Sequence, residues 1–209
     1  MAERIMIDKA WLILCFLLLG LFAAPGRAVA GERLRVVMLG DSLTAGGAWS
    51  AYFPGWEVSN QGVSGDSTTQ ILARLDEVVA RKPEVIFLLA GINDFWRPDR
   101  AQHILKNQSA IWDRLRSRLP GVRLVVISLL PVDSQQFPGW NQAIVALNSQ
   151  LAQLAAQRGL DFLNLHPQLL DDRAQLKPAF THDGLHLTRA AYEVWAEQLR
   201  SLLLHEPVK

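Results

Sequence analysis

The stretch Val36-Val37-Met38-Leu39-Gly40-Asp41-Ser42-Leu43-Thr44 runs from continuous apolar residues straight into a polar turn. An uninterrupted β-branched and aliphatic run is what a strand covered on both faces requires, so it reads as a parallel-sheet strand, Leu34 to Leu39. Runs of the same kind recur at Val85 to Ala90 and Leu124 to Leu130, with shorter ones at Trp56 to Ser59 and Phe162 to Leu165. Between them the apolar spacing changes to the helical period. Ile71, Leu72, Leu75, Val78 and Val79 form one such face, and Trp140, Ile144, Leu147, Leu151 and Leu154 another. Further helices are expected over Ala101 to Arg118 and Thr188 to Leu204, and Ser67 with Gln70 makes a capping-box pattern ahead of the first. Strand and helix alternation predicts a three-layer α/β/α sandwich with a mostly parallel sheet of about five strands and its ligands at the carboxyl ends of the strands.

Outward from this core, the amino terminus has Arg4 and Lys9, an apolar run from Ala10 to Ala24, Pro25, and then Ala28-Val29-Ala30. That layout is a secretory leader over residues 1–30 with cleavage after Ala30, leaving one domain over residues 31–209. The run is shorter than the roughly 20 residues a membrane-spanning helix needs. The chain is therefore expected to be exported, periplasmic or secreted, without stable membrane insertion after cleavage; an uncleaved anchor is the alternative. The single cysteine, Cys15, lies in the leader, so the rest of the chain has neither a disulfide nor a thiol nucleophile. With 21 basic and 20 acidic residues, and no basic run, there is no electrostatic case for a nucleic-acid partner.

The chemistry-bearing residues fall at the predicted strand ends. Ser42 follows the first strand where a helix begins, a position at which the helix amino terminus favours developing negative charge. Taken alone, Gly40-Asp41-Ser42 suits a helix cap as well as a nucleophile. Thr181-His182-Asp183-Gly184-Leu185-His186-Leu187 precedes the last helix. A turn at Gly184 can bring the Asp183 carboxylate onto Nδ1 of His186 and leave Nε2 to take a proton from a serine, although a polar capping loop would look the same. Gly62-Val63-Ser64-Gly65-Asp66 and Gly91-Ile92-Asn93-Asp94 are turn-like segments after the second and third strands. Glycine amides and the Asn93 side chain can donate to a substrate oxygen, and with the Ser42 amide they would make a three-donor oxyanion hole.

Gly40-Asp41-Ser42-Leu43, the Gly65 segment, Gly91-x-Asn93-Asp94 and Asp183-x-x-His186, in this order over nearly all of Leu34 to Leu202, resemble the four blocks of the SGNH (GDSL) hydrolases. The resemblance implies a flavodoxin-like fold, Ser42 as nucleophile, His186 as base, Asp183 as its orienting acid, and Ser42, Gly65 and Asn93 as oxyanion donors. Gly65 is preferred to Gly62 because it directly precedes Asp66-Ser67, as the family glycine does. Gly65-Asp66-Ser67-Thr68 with Leu72-Ala73-Arg74-Leu75, and Leu185-His186-Leu187-Thr188 near Tyr192, are similar to the platelet-activating-factor acetylhydrolase-like branch; bacterial lysophospholipase/thioesterase relatives share the blocks. The implied activity is hydrolysis of lipid, sugar or small-molecule esters through an acyl-enzyme, without cofactor or metal. Alternatives are a lysophospholipase or acyl-thioesterase with long-chain preference, and an inactive glycan- or lipid-binding member.

Asp41, Phe95 and Trp96 are candidate substrate contacts beside these blocks, and Trp49 a candidate wall of an acyl pocket. His103 and His205 read as solvated, and His166 and His182 as loop residues. Trp112 and Trp195 fit helix faces and read as core. The polar segment Asp133 to Gly139 reads as a mobile loop. No long insertion separates the blocks, so an open cleft and short acyl groups are expected.

Overall fold

The computed structural model describes residues 33–205, and the expected leader over residues 1–30 lies outside them. Five strands, β1 (Arg35–Gly40), β2 (Glu57–Gly62), β3 (Val85–Leu89), β4 (Arg123–Ile127) and β5 (Asp161–Leu163), form one sheet in the order β2-β1-β3-β4-β5. Every pairing is parallel. This is the flavodoxin-like order, and its direction reverses at β1, which places a crevice at the carboxyl ends of β1 and β3. Central β3 is buried along its whole length, β1 and β4 along all but their first residue, whereas the edge strands β2 and β5 are only partly covered. Burial on both faces explains why the central strands read as continuous apolar runs and the edge strands do not.

The helices are α1 (Ser42–Ala45), α2 (Trp49–Tyr52), α3 (Thr68–Ala73), α4 (Leu75–Ala80), α5 (Arg100–Arg118), α6 (Trp140–Gln157) and α7 (Arg189–His205). Right-handed crossovers from β1 leftward to β2 and from β2 rightward to β5 place their helices on opposite faces. Accordingly α3, α4 and α6 gather around α5, while α2 packs with α7. The helix expected across Ile71 to Val79 is broken into α3 and α4 at Arg74, whose φ of −106° and ψ of 17° leave the helical region. At that residue the Arg74 side chain is drawn inward to the ends of β1 and β2 rather than lying along a helix surface.

Two buried clusters fix the layers. Trp49 and Trp195 are fully enclosed, with ring centroids 4.8 Å apart at 75°, and Tyr192 packs against Trp49 at 5.7 Å. The Tyr192 hydroxyl donates to the Leu43 carbonyl at 2.8 Å, tying α7 to α1. Across the sheet, Trp112 Nε1 donates to Gln108 Oε1, and Gln108 Nε2 donates to the Ala90 carbonyl, both at 2.9 Å, so α5 holds the chain just past β3. Each of these polar groups would be costly to bury without its partner. Among the described residues no helix is long and apolar enough to cross a membrane.

Candidate active site

Ser42 is the first residue of α1, directly after β1. The turn is possible because Gly40 has no side chain: a Cβ there would lie 2.1 Å from Thr44 Oγ1 and 2.4 Å from the Leu89 carbonyl. Asp41 caps the helix, its Oδ1 accepting from Leu43 N–H at 3.0 Å. As the first helical residue, Ser42 has an amide with no partner inside the helix, and it faces the same end as the Oγ.

Asp183 and His186 come from one turn. Asp183 Oδ1 accepts from His186 N–H at 2.7 Å and from Leu185 N–H at 3.1 Å, and Asp183 Oδ2 lies 2.7 Å from His186 Nδ1. Gly184 takes a φ of +81°, and a Cβ there would meet Asp133 Cβ at 2.7 Å, so glycine is required on both counts. His186 Nε2 then stands 3.1 Å from Ser42 Oγ. With Nδ1–H given to Asp183, Nε2 is the lone-pair nitrogen, the arrangement that removes a serine proton. Partial burial pushes the Asp183 carboxyl up, but the hydrogen bonds from the His186 ring, the His186 amide and the Leu185 amide outweigh it and hold it at about 2. Asp183 is thus an anion throughout the neutral range. The His186 and Asp183 side chains are 48% and 52% exposed, so the site is open to solvent.

Opposite lie the segments after β2 and β3. Gly65 is exposed at φ +82°, and a Cβ there would have nothing within 4 Å, whereas a Cβ on Gly62 would lie 2.2 Å from Ala45 N. Gly62 therefore serves the packing of β2 on α1, and Gly65 is the glycine that faces open space. The Asn93 amide donates one hydrogen to the Asp66 carbonyl at 3.0 Å, which leaves its second hydrogen for another acceptor.

A buried framework holds these segments. Arg74 Nε pairs with Asp66 Oδ2 at 2.6 Å, and Arg74 Nη2 donates to the carbonyls of Gly40 and Gln61, both at 2.9 Å. One guanidinium thus joins the ends of β1 and β2 to the Gly65-Asp66 turn. The buried Asp94 carboxylate accepts from Thr68 N–H at 2.9 Å and Thr68 Oγ1 at 2.8 Å, capping α3 from the segment that carries Asn93. Asn107 on α5 donates to Thr68 Oγ1 at 2.9 Å and Thr69 Oγ1 at 3.0 Å. Neither Arg74 nor Asp94 is legible as a positioning residue in the sequence, because their partners are backbone groups or side chains in other segments of the chain.

Several expectations need correction. Asp41 has no exposed surface and so offers substrate no contact; its carboxylate serves the turn, with Oδ2 unpaired. Burial pushes this carboxyl up to about 7, against the opposing pull of the Leu43 amide and His186. Phe95 is 3% exposed and Trp49 1%; both are core, Phe95 against Trp140 and Trp49 with its Nε1 donating to the Thr44 carbonyl. Of the aromatic candidates only Trp96, 76% exposed, presents a surface. His103 is not a solvated residue: its Nε2 lies 3.0 Å from both Thr69 Oγ1 and Asn107 Nδ2 and 3.5 Å from Asp94. His166 is buried, which lowers its pKa, and His182 is exposed. In the segment 133–139, Asp133 Oδ1 accepts from the Gln135 and Gln136 amides, and the Asp133 amide donates to the Gly184 carbonyl at 2.8 Å.

The same geometry is accompanied by likeness to known proteins. The GDSL-like lipase/acylhydrolase family profile matches residues 38–194. Platelet-activating factor acetylhydrolase IB subunit alpha1 from Bos taurus is 29% identical over 175 residues, which span 81% of this chain and 75% of that protein. The alpha2 subunit from Rattus norvegicus is 25% identical over 176 residues, 81% and 76% of the two chains. Among solved structures, the lipase/acylhydrolase from Enterococcus faecalis superposes with a TM-score of 0.69 at 23% identity, covering 85% of this chain and 99% of that one, and so shares the fold.

Proposed function

The chain belongs to the GDSL-like lipase/acylhydrolase family, and from that premise we propose that it is a serine esterase working through an acyl-enzyme, with Ser42 as nucleophile, His186 as general base and Asp183 as its orienting partner. The observation that carries this reading is the unbroken relay from Asp183 Oδ2 to His186 Nδ1 at 2.7 Å and from His186 Nε2 to Ser42 Oγ at 3.1 Å.

His186 takes the Ser42 proton as Oγ attacks the ester carbonyl carbon. The carbonyl π electrons move onto oxygen, and the tetrahedral oxyanion is held by the Ser42 and Gly65 amides and by the free Asn93 hydrogen. Collapse expels the alcohol, which receives the proton from His186 and leaves an acyl-Ser42. Water, deprotonated by His186, repeats the sequence and releases the acid. Asp183 stays charged and stabilises the imidazolium in both halves. The half-exposed acid and base favour short acyl groups, because an open site removes little of a long chain from water and each buried methylene is worth about 0.8 kcal/mol. The leader composition supports export, with Gly31 as the mature amino terminus.

The test is labelling with a fluorophosphonate together with turnover of nitrophenyl esters from two to sixteen carbons. Label on Ser42, lost in Ser42→Ala, and a decline of kcat/KM with chain length support the proposal. Label that persists in Ser42→Ala overturns the nucleophile, and a steady rise beyond about eight carbons, at the increment of a buried methylene, would favour a long-chain lysophospholipase instead.

A further inference from the structure

Asn93 and Trp96 lie three apart in the 3₁₀ segment Ile92–Trp96. In a 3₁₀ helix the side chains at i and i+3 eclipse one another, and three residues advance about 6 Å. Trp96 therefore stands one turn beyond the proposed oxyanion donor, its ring on Trp140 where the Asn93 amide reaches Asp66. Its indole is 76% exposed. It is also held from behind: Trp140 meets it at 4.9 Å and 72°, and Trp140 is itself packed by Phe137 at 4.8 Å and by buried Phe95 at 5.1 Å. The Phe137 loop reaches the acid-base turn, since Asp133 N–H donates to the Gly184 carbonyl and a Cβ on Gly184 would come within 2.9 Å of Gln136 Nε2. The aromatic group thus bridges the Asn93 side of the site and the Asp183 side. An indole so exposed, yet backed by Trp140, which Phe95 and Phe137 hold in turn, is a preset surface and not a stray core residue.

The surroundings select what can lie on it. An acyl chain gains by being enclosed, and an open indole with one bare face encloses nothing; the chain would also lose the freedom of each bond it ordered. A rigid ring with polarised C–H bonds on one face and hydroxyls at its rim meets a different balance. Its C–H groups approach the negative face of the indole without loss of internal freedom, and its hydroxyls need polar neighbours. These are present: Arg97 and Asp99, paired at 3.1 Å and each about half exposed, follow Trp96 directly, and Gln136 stands exposed on the facing loop.

We infer that Trp96, backed by Trp140, is a subsite for the alcohol portion of the substrate and that this portion is a carbohydrate ring, making the substrate an acylated sugar. The inference rests on the esterase reading and adds the class of leaving group to it. Nothing in the chemistry at Ser42 changes: the sugar oxygen leaves with the proton from His186.

The experiment compares kcat/KM for a monoacetylated methyl glucopyranoside with that for n-pentyl acetate, which carries the same acyl group, in the wild type, Trp96→Ala and Trp96→Phe. The ratio of sugar ester to pentyl ester should fall about tenfold in Trp96→Ala, the lower part of the range for removing an aromatic platform from under a stacked nucleobase. Trp96→Phe, which keeps a flat face, should retain most of the ratio. A ratio unchanged in Trp96→Ala, or a wild type that does not favour the sugar ester, overturns the inference while fluorophosphonate labelling of Ser42 and pentyl acetate turnover leave the esterase reading standing. If the wild type is neither labelled nor active on either ester, the esterase reading fails and the sugar subsite with it. Because Trp96 projects into solvent, both variants are expected to fold.

Discussion

Arg74→Gln tests the framework that holds the strand ends behind the proposed site. The substitution removes a cation that pairs with Asp66 Oδ2 at 2.6 Å and caps two carbonyls at 2.9 Å, with the Arg74 and Asp66 side chains only 14% and 10% exposed. Removing one partner of a buried pair costs about 3–5 kcal/mol, because the other charge is left unpaired; the remaining exposure sets this case near about 3 kcal/mol. For a domain of this size each kcal/mol moves Tm by about 2–4 °C, so a fall of roughly 6–12 °C is expected. Arg118→Gln is the internal control. Its partner Asp76 lies at 3.0 Å, yet the two side chains are 51% and 80% exposed, and a loss within about 0.5 kcal/mol is expected. The double substitution Arg74→Gln with Asp66→Asn should recover part of the loss, since no lone charge remains. Thermal melts followed by circular dichroism at neutral pH read all four proteins, and kcat on a short ester should fall in Arg74→Gln with little change in KM as the Asp66 carbonyl that seats Asn93 loosens. If Arg74→Gln melts as mildly as Arg118→Gln, the claim that one guanidinium holds the strand ends together is wrong.

Asn93→Ala should lower kcat by about 10²-fold or more with a smaller change in KM, because an oxyanion donor acts mainly in the transition state; a steady-state effect confined to KM would make Asn93 a binding residue. Asp41→Asn should change the pH dependence of stability. The folded pKa of about 7 lies above the ordinary 3.8, so the folded state holds the proton more tightly and wild-type stability falls as pH rises between these values. The amide keeps the acceptor for Leu43 without ionising, so the variant should gain on the wild type from pH 5 to pH 8 in denaturant titrations, and parallel curves would count against a buried, ionising Asp41. Gly62→Ala drives a Cβ to 2.2 Å from the Ala45 amide and should cost about 1–3 kcal/mol or more, the range for overpacking, while an unchanged melting point would show that α1 can retreat.

What can be read ahead of the structure follows from how local each signal is. β1, β3 and β4 are visible as apolar runs because parallel strands are covered on both faces. The Asp183 to His186 turn is visible because its hydrogen bonds close within four residues. Arg74 reads as part of a helix surface because a helical apolar period runs through it, and nothing in that period reports two carbonyls 34 and 13 positions away. Trp49 looks like a pocket wall from its place near Ser42, whereas the aromatic residues that enclose it, Tyr192 and Trp195, come from the far end of the chain. Trp140 reads only as a core position of its helix, and its second role as the support of Trp96 depends on a contact between distant segments.

Asp183 and His186, the proposed acid and base, travel on one short strap. Thr181 Oγ1 donates to the His186 carbonyl at 2.8 Å, Thr181 and Leu187 form a bridge, and Thr188 N–H donates to the Phe180 carbonyl at 3.0 Å, so the strap is shaped by its own ends. Its tie to Ser42 spans 144 positions and is reinforced where Tyr192 reaches the Leu43 carbonyl. The proposed catalytic apparatus is accordingly bipartite. A chain severed between Leu176 and Pro178 would place the proposed nucleophile and oxyanion donors on one fragment, and Asp183, His186 and α7 on the other. Hydrolysis would then report reassembly of the two pieces, with the α7 face that enfolds Trp49 acting as the adhesive.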